Sequence, residues 1–120
     1  MNIGVTNKLK IARETKIGLY LEDNNGFEVL LPKRFVPESF EIDDYIEVFV
    51  YRDNEDRPIA TTDKPLAEVG EYALMTVKSI TEHGAFLDWG LMKDLFVPFK
   101  QQAVKMEEGK SYMVTVYIDQ

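Results

Sequence analysis

The amino-acid sequence predicts an all-β chain that folds as two small barrels in tandem, each built from five short strands. Apolar and polar residues alternate over short stretches, which is the pattern of half-buried strands. Turns rich in Gly, Asn, Asp and Pro separate these stretches, and the whole pattern occurs twice. No window has a long helical period, and only residues 98–106 (PFKQQAVKM) could hold a short helix.

The first half of the chain reads as a complete set of strands. Residues alternate in LKIARETKIGLYLED on both sides of Gly18, and DNNG at 23–26 predicts a tight hairpin because Asn and Gly tolerate positive φ. The strand resumes with FEVLL and ends at Pro32, which has no N–H for the ladder. YIEVFVY at 45–51 and IAT at 59–61 predict the last two strands.

The second half repeats the first at an offset of 66 positions, without a gap. We therefore predict a first barrel over 1–62, a linker over 63–70 and a second barrel over 71–120. The matched pairs are Gly18 with Gly84, Tyr20 with Phe86, Leu21 with Leu87, Pro32 with Pro98, Val48 with Val114, Val50 with Val116, Tyr51 with Tyr117 and Asp53 with Asp119.

The order of elements is typical of the OB fold: three strands, a proline-ended corner with a short helical turn, then two strands. Gln120 matches Asn54, which precedes the last strand of the first copy. We therefore predict that the second barrel lacks its last strand and that the chain is the N-terminal part of a longer protein. An open sheet edge is a template for pairing, so we expect a neighbouring molecule or the first barrel to cover it.

Composition narrows the function. The 120 residues include no cysteine, which removes disulfides, thiolate zinc sites and cysteine nucleophiles, and favours the cytoplasm. There is no signal peptide pattern and no membrane-length apolar stretch. The net charge of −7 means that any nucleic-acid site must be a local basic patch or must depend on stacking. Nucleotide-binding and catalytic motifs are absent, so we expect neither an enzyme nor a cofactor, and a single histidine, His83, predicts no metal site.

The second copy also resembles a known family. The stretch VKSITEHGAFLDWG…DLFVPF, followed by EEGKSYMVTVYID, resembles the RNA-binding S1 domain, the OB domain repeated in the largest protein of the small ribosomal subunit. Two such copies at an N-terminus resemble the conserved virulence factor B family of bacterial proteins. The resemblance covers nearly the whole chain, and HGAFLDWG is its most specific part.

This resemblance implies that single-stranded RNA lies across the second and third strands and stacks on aromatic residues. An aspartate and an arginine before the last strand complete the family's site, whereas its histidine after the third strand is replaced here by Pro32 and Pro98. The positions that match the family's site are Ile17 and Tyr20 in the first copy, His83 and Phe86 in the second, the pair Asp53 and Arg57, and Asp119.

The residues themselves support part of this set. Tyr20 and Phe86 alternate with Leu21 and Leu87, so the aromatic rings are expected on the outer face. Lysine and arginine residues beside these strands could contact phosphates. They are Lys10, Lys33, Arg34 and Lys100.

Two functions therefore remain open. One is a module that binds single-stranded RNA by stacking and by local basic residues. The other is a scaffold whose barrels have lost RNA binding and contact proteins or downstream domains of the same chain. A glycosidase built on paired carboxylates is the least favoured alternative.

Overall fold

The computed structural model describes residues 1–118, and the chain divides into two compact units after Lys64. The described residues form strands and two short 3₁₀ helices, which confirms the predicted all-β class. None of these helices is long and apolar enough to cross a membrane. The strands are β1 (Val5–Thr15), β2 (Gly18–Glu22), β3 (Glu28–Pro32), β4 (Tyr45–Arg52), β5 (Pro58–Thr61), β6 (Tyr72–Ile80), β7 (Gly84–Leu87), β8 (Leu95–Pro98) and β9 (Ser111–Thr115).

The first unit is a closed five-stranded barrel in the order β1-β2-β3-β5-β4. All its neighbouring strands are antiparallel except β3 and β5, which pair in parallel at Leu30 and Ile59. Alternation along each strand turns one side chain in two into the barrel, as period-two patterning requires. The core consists of Leu9, Ile11, Leu19, Leu21, Val29, Leu31, Val48, Val50 and Ala60.

Strand β1 closes the barrel because it bends to pair with two neighbours. Its first half pairs with β4 and its second half with β2, and a bulge lies between Ile11 and Arg13. The Ile11 N–H donates to the Asp44 carbonyl oxygen (2.8 Å), and the Asp43 N–H donates to the Ile11 carbonyl oxygen (2.8 Å). Such a bulge increases the local twist, which lets one strand serve both sides of a small barrel.

The second unit has the same strand order, and its residues up to 118 include no counterpart of β5. Its sheet runs β8-β7-β6-β9, and Val69 adds a parallel bridge to Val116. This confirms the prediction that the second barrel is incomplete. Trp89 is buried in this unit and its indole N–H donates to the Ala67 carbonyl oxygen (2.8 Å), so the ring is a core anchor with its polar atom satisfied.

The repeat extends to single hydrogen bonds. The Gly4 N–H donates to the Val50 carbonyl oxygen (2.6 Å), and 66 positions later the Gly70 N–H donates to the Val116 carbonyl oxygen (2.9 Å). The hydroxyls of Thr15 and Thr81 likewise donate to the carbonyl oxygens of Gly18 and Gly84. The two halves therefore have equivalent backbone hydrogen bonds at these positions.

The backbone conformation at positions 18 and 84 requires glycine. Their φ angles are 148° and 153°, and each begins the second strand of its unit. A Cβ atom would lie 2.1 Å from the Leu31 carbonyl oxygen at Gly18, and 2.5 Å from the Val97 carbonyl oxygen at Gly84. No side chain fits that close to a backbone atom.

Residues 98–106, the stretch that could hold a short helix, contain one. Only Phe99–Gln101 is helical, as a 3₁₀ turn that matches Lys33–Phe35 in the first unit. After this turn the Gln102 side chain bonds the backbone on both sides. Its amide nitrogen donates to the Val97 carbonyl oxygen (3.1 Å), and its amide oxygen accepts from the Met106 N–H (3.0 Å).

Strands β8 and β9 border an open apolar groove of about 480 Å³. In the first unit the equivalent place is filled by β5, which pairs with both β3 and β4. The groove is lined by residues that include Leu95, Val97, Met106, Tyr112, Val114 and Tyr117.

Candidate nucleic-acid interface

The outer face of β7 and β8 carries two neighbouring aromatic rings. Phe86 lies between the buried residues Ala85 and Leu87, so its ring points outward as predicted from alternation. It pairs across the sheet with Phe96, and the ring centroids are 4.9 Å apart with 41° between the planes. Phe96 is 40% exposed. The two rings are therefore neighbours on the outer face of the sheet.

Phe96 is a site residue that the sequence analysis missed. The register that pairs Gly84 with Pro98 also pairs Phe86 with Phe96. The repeat had already matched this glycine and this proline to Gly18 and Pro32, which pair in the first unit. Phe96 could therefore have been found from the strand register that the repeated glycine and proline imply, although it belongs to no sequence motif.

His83, Phe99 and Lys100 lie at one end of the same strand pair. His83 precedes Gly84 and Phe99 follows Pro98, so the Gly84–Pro98 pair brings them to the same end. All three side chains are exposed. His83 Nε2 lies 3.4 Å from Glu82 Oε1, an ion pair only when the imidazole is protonated. We call Phe86, Phe96, His83 and Phe99 the aromatic face.

Tyr20 occupies the position of Phe86 in the first unit, but its surroundings differ. Leu19 and Leu21 on either side are buried, so the ring also points outward. Its cross-strand partner is Leu30, so no second ring extends the surface. The Arg13 guanidinium carbon lies 4.1 Å from the ring centroid, a cation–π contact that occupies one face of Tyr20.

Arg13 is itself held in place by a carboxylate. Its Nη2 lies 2.9 Å from Glu28 Oε1, on the strand that follows the hairpin. The first unit therefore presents a covered tyrosine, whereas the second presents paired phenylalanines. Alternation predicted the direction of both rings, but not the arginine, because Arg13 reaches Tyr20 through the pairing of β1 with β2.

Three exposed cations lie together at the corner of the first unit: Lys16, Lys33 and Arg34, which we call the basic corner. The Lys33 N–H donates to the Ile17 carbonyl oxygen (2.9 Å), which joins the β1–β2 turn to the residue after β3. Arg34 lies over the Phe35 ring at 5.3 Å. None of the three cations forms an ion pair within residues 1–118.

Lys10 differs from this corner because carboxylates already surround it. Its Nζ lies 3.7 Å from Glu22 Oε1 and 3.6 Å from Asp43 Oδ1. A phosphate that approached Lys10 would have to compete with both. Of the predicted basic residues, the structure therefore leaves Lys33, Arg34 and Lys100 more accessible to a phosphate than Lys10.

Asp53 and Arg57 form a compact pair in the β4–β5 turn. Arg57 Nη2 lies 3.1 Å from Asp53 Oδ2, and Asp53 Oδ1 accepts from the Glu55 and Arg57 backbone N–H groups (2.9 and 3.0 Å). These bonds, the Arg57 N–H above all, hold the pKa of Asp53 below its ordinary value. Arg57 also contacts the Glu55 carboxylate. Asp119, the counterpart of Asp53, lies outside the described residues.

Metal binding has no support in the part of the chain that the structure describes. No three His, Asp or Glu side chains there converge in a way that could hold an ion.

The geometry thus combines a tandem OB architecture, a partly exposed aromatic pair and local basic residues, an arrangement typical of a small ligand-binding module. Residues 3–63 and 69–120 each match the family described as S1 domain. The chain therefore belongs to the S1 domain family, with two copies in tandem, and the resemblance predicted from HGAFLDWG is confirmed.

Two longer proteins are similar to this chain. The Bacillus subtilis protein YitL, described as uncharacterised, is 34% identical over 98 residues, which are 81% of this chain and 33% of YitL. A crystal structure from Streptococcus pneumoniae, described as a multidomain protein with nucleic acid binding domains, matches with a TM-score of 0.81 at 19% identity. That match covers 98% of this chain and 42% of the pneumococcal chain, and at this identity it shows the shared fold. The chain thus spans a third of the length of YitL and about two fifths of the pneumococcal protein.

Proposed function

We propose that this chain is a non-catalytic module that binds single-stranded RNA by base stacking and local phosphate contacts. The observation that carries the proposal is the Phe86–Phe96 pair on the outer face of β7 and β8, in which Phe96 is exposed and Phe86 partly exposed. Stacking on an aromatic side chain contributes about 1–3 kcal/mol per base and tolerates any base. Single strands are favoured over duplexes because only unstacked bases offer their faces to a side chain.

The charge of the chain fits such a mode. With a net charge of −7 the surface as a whole repels nucleic acid, so affinity must come from local contacts. Lys33 and Arg34 in one unit and Lys100 in the other follow the third strand, at the end where it pairs with the first residue of the second strand. Asp53 and Arg57 belong to the proposed site only through the S1 resemblance, since their side chains bind each other.

The setting of the module is also a proposal. The pneumococcal protein is described as having nucleic acid binding domains among several domains, and this chain covers 42% of it. We propose that the chain works in the bacterial cytoplasm as part of a larger protein of the virulence factor B type. Downstream domains of that protein would then be partners within the same chain.

A scaffold function is the second candidate, and one observation favours it. Leu74 on β6 and Met113 on β9 face each other and are 60% and 64% exposed. The first unit has Lys8 and Glu47 at the matching pair. An exposed apolar pair with Tyr72 beside it is typical of a surface that contacts another protein.

Fluorescence anisotropy separates the two candidates. The chain is titrated into labelled single-stranded oligouridylate of about 12 nucleotides, and into a duplex of equal length, at low and at high salt. We expect binding to the single strand that weakens with salt, and little binding to the duplex. If the chain leaves the single strand unbound even at low salt, the RNA-binding proposal is wrong and the scaffold function is favoured.

A further inference from the structure

Each unit has a corner formed by the turn before its second strand and the residues after its third strand, and the two corners carry different chemistry. Both corners begin from a paired glycine and proline, Gly18 with Pro32 and Gly84 with Pro98. The residues around them differ in identity, and all but one of the exchanges, Arg34 to Lys100, also change the chemical type of the side chain. The exchanges from the first to the second unit are Lys16 to Glu82, Ile17 to His83, Lys33 to Phe99, Arg34 to Lys100 and Leu30 to Phe96.

These exchanges occur on the same backbone. The Val36 N–H donates to the Lys33 carbonyl oxygen (3.1 Å), and the Gln102 N–H donates to the Phe99 carbonyl oxygen (3.1 Å). Lys33 and Phe99 therefore start equivalent 3₁₀ turns in equivalent places. The difference between the corners lies in the side chains alone, and it changes what each corner can bind.

The first corner is suited to phosphate and poorly suited to bases. Lys16, Lys33 and Arg34 are exposed and form no ion pair within the described range, so a phosphate need not displace a carboxylate. The aromatic ring on this face, Tyr20, is covered on one side by Arg13, which Glu28 holds in place. A base that stacked there would have to displace a cation–π contact first.

The second corner has the opposite balance. Phe86 and Phe96 lie side by side with tilted rings, and Phe99 and His83 are exposed at the end of this pair. Lys100 is the exposed cation of this corner, whereas two other lysines of the unit are in ion pairs: Lys78 Nζ lies 3.1 Å from Asp94 Oδ1, and Lys110 Nζ lies 2.7 Å from Glu107 Oε2. Glu82 stands where the first corner has Lys16. This corner can bind bases by stacking, but it offers a phosphate one cation, Lys100, at positions where the first corner offers three.

We infer that the two units divide the work of binding a nucleic-acid strand: the basic corner of the first unit binds phosphates, and the aromatic face of the second unit stacks bases. This inference rests on the proposed function, since it assigns the two parts of that function to different units. Its consequence is that the salt dependence of binding comes mainly from the first unit, whereas the requirement for bases comes mainly from the second.

The test uses the full chain and two probes, a single-stranded oligouridylate and an abasic oligonucleotide of the same length. Replacing Lys16, Lys33 and Arg34 together with serine should lower the salt slope of log K by about 2, because each single-strand phosphate contact contributes about 0.7. It should also abolish binding to the abasic probe. The control replaces three exposed lysines outside the corner, Lys8, Lys64 and Lys105, with serine and changes the net charge equally.

The complementary variant replaces Phe86 and Phe96 with leucine. Affinity for oligouridylate should fall by about 5- to 150-fold, while the salt slope and the weak binding of the abasic probe should stay as in the unmodified chain. A third variant, Glu82→Lys with Phe99→Lys, gives the second corner two of the cations of the first. It should raise the salt slope by about 1.4.

These measurements distinguish a failure of the RNA-binding proposal from a failure of the proposed division between the two units. If the unmodified chain binds neither probe, the proposed function itself fails. If it binds oligouridylate, but the serine and leucine variants lose affinity and salt slope in the same proportion, the division between the units is wrong and the binding function stands. An unchanged slope in the triple serine variant also overturns the division.

Discussion

Phe86 and Phe96 lie opposite each other on β7 and β8 with 4.9 Å between their ring centroids, whereas Tyr20, the counterpart of Phe86, lies opposite Leu30. The second unit therefore has the larger stacking surface although the two backbones match. We expect Phe86→Ala to weaken binding of single-stranded RNA by about 1–3 kcal/mol, with little change in salt dependence.

The control for this substitution is Phe27→Ala, which removes another exposed phenylalanine, in the hairpin of the first unit. Binding is measured by fluorescence anisotropy, and thermal unfolding is followed in parallel. A sharp loss of thermal stability at unchanged RNA affinity would show that the Phe86 ring is part of the core and does not stack on bases.

The close approach at Gly84 predicts a large effect on stability. Gly84→Ala would place a Cβ 2.5 Å from the Val97 carbonyl oxygen, so the β7–β8 pair must shift. We expect the free energy of unfolding of the second unit to fall by about 2 kcal/mol or more. The measurement is urea unfolding followed by the fluorescence of Trp89, the one tryptophan of the sequence, which lies in the same unit.

Gly109 provides the matched control for Gly84. It also has positive φ (85°) and lies in the second unit, but no atom lies within 4 Å of an added Cβ. Gly109→Ala should therefore cost only the backbone strain, about 1 kcal/mol. Equal effects of the two substitutions would contradict the steric explanation.

Asp53 predicts a local dependence on pH. Hydrogen bonds from the Arg57 N–H, the Glu55 N–H and the Arg57 side chain lower its pKa in the folded protein. The pKa is therefore lower in the folded than in the unfolded chain, so ionised Asp53 stabilises the β4–β5 turn above its unfolded pKa. This contribution is lost as the pH falls from about 4 through the folded value.

The variant Asp53→Asn removes this contribution at neutral pH. We expect the hydrogen-exchange protection factor of the Arg57 amide to fall in the variant at about pH 6, and the difference from the unmodified chain to shrink below about pH 4. Glu38→Gln, at an exposed carboxylate outside the turn, is the control and should leave that amide unchanged. A difference that stays constant down to low pH would show that the Asp53 charge is not its cause.

Leu74 and Met113 predict self-association of the chain. Both side chains are exposed on β6 and β9, and the same unit has an open groove between β8 and β9. Exposed apolar surface and unpaired strand edges favour association. Leu74→Lys combined with Met113→Glu introduces the residue types of Lys8 and Glu47 from the first unit. We expect weaker association in sedimentation velocity, with stability changed by no more than about 0.5 kcal/mol.

The reciprocal change, Lys8→Leu with Glu47→Met, should increase association. If neither double variant alters the sedimentation profile, the exposed pair does not drive contact between copies of the chain. That a neighbouring molecule covers the open edge of the second unit stays a prediction, and self-association in sedimentation velocity would be consistent with it.

Much of the fold was predictable because it depends on local signals. Alternation gave YALMTVKSI as a strand, and β6 spans the same residues, Tyr72–Ile80. The glycine and proline positions of the repeat located both barrels and the missing strand. Residues 98–106 contain a short helix as expected, and after its last residue, Gln101, the Gln102 side chain bonds the Val97 carbonyl oxygen and the Met106 N–H.

The site was less predictable because its features depend on which strands pair. Nothing in the sequence around Arg13 indicates that it covers Tyr20, since the contact arises from the register of β1 against β2. Lys10 looked like any other basic residue, yet Glu22 and Asp43 reach it from two different segments. Phe96 carried no motif and was found only through the pairing of Gly84 with Pro98.

The gap-free match between the two units has a consequence for how such a chain can diversify. Buried positions such as Leu21 and Leu87 agree, while exposed positions such as Lys33 and Phe99 have changed chemistry on an unchanged backbone. A residue found at an exposed position of one barrel should therefore be tolerated at the matching position of the other. After a duplication, one copy can keep an inherited activity while substitutions in the other change the ligand that it binds. The corner residues of one copy are also substitutions that the backbone of the other copy should accept.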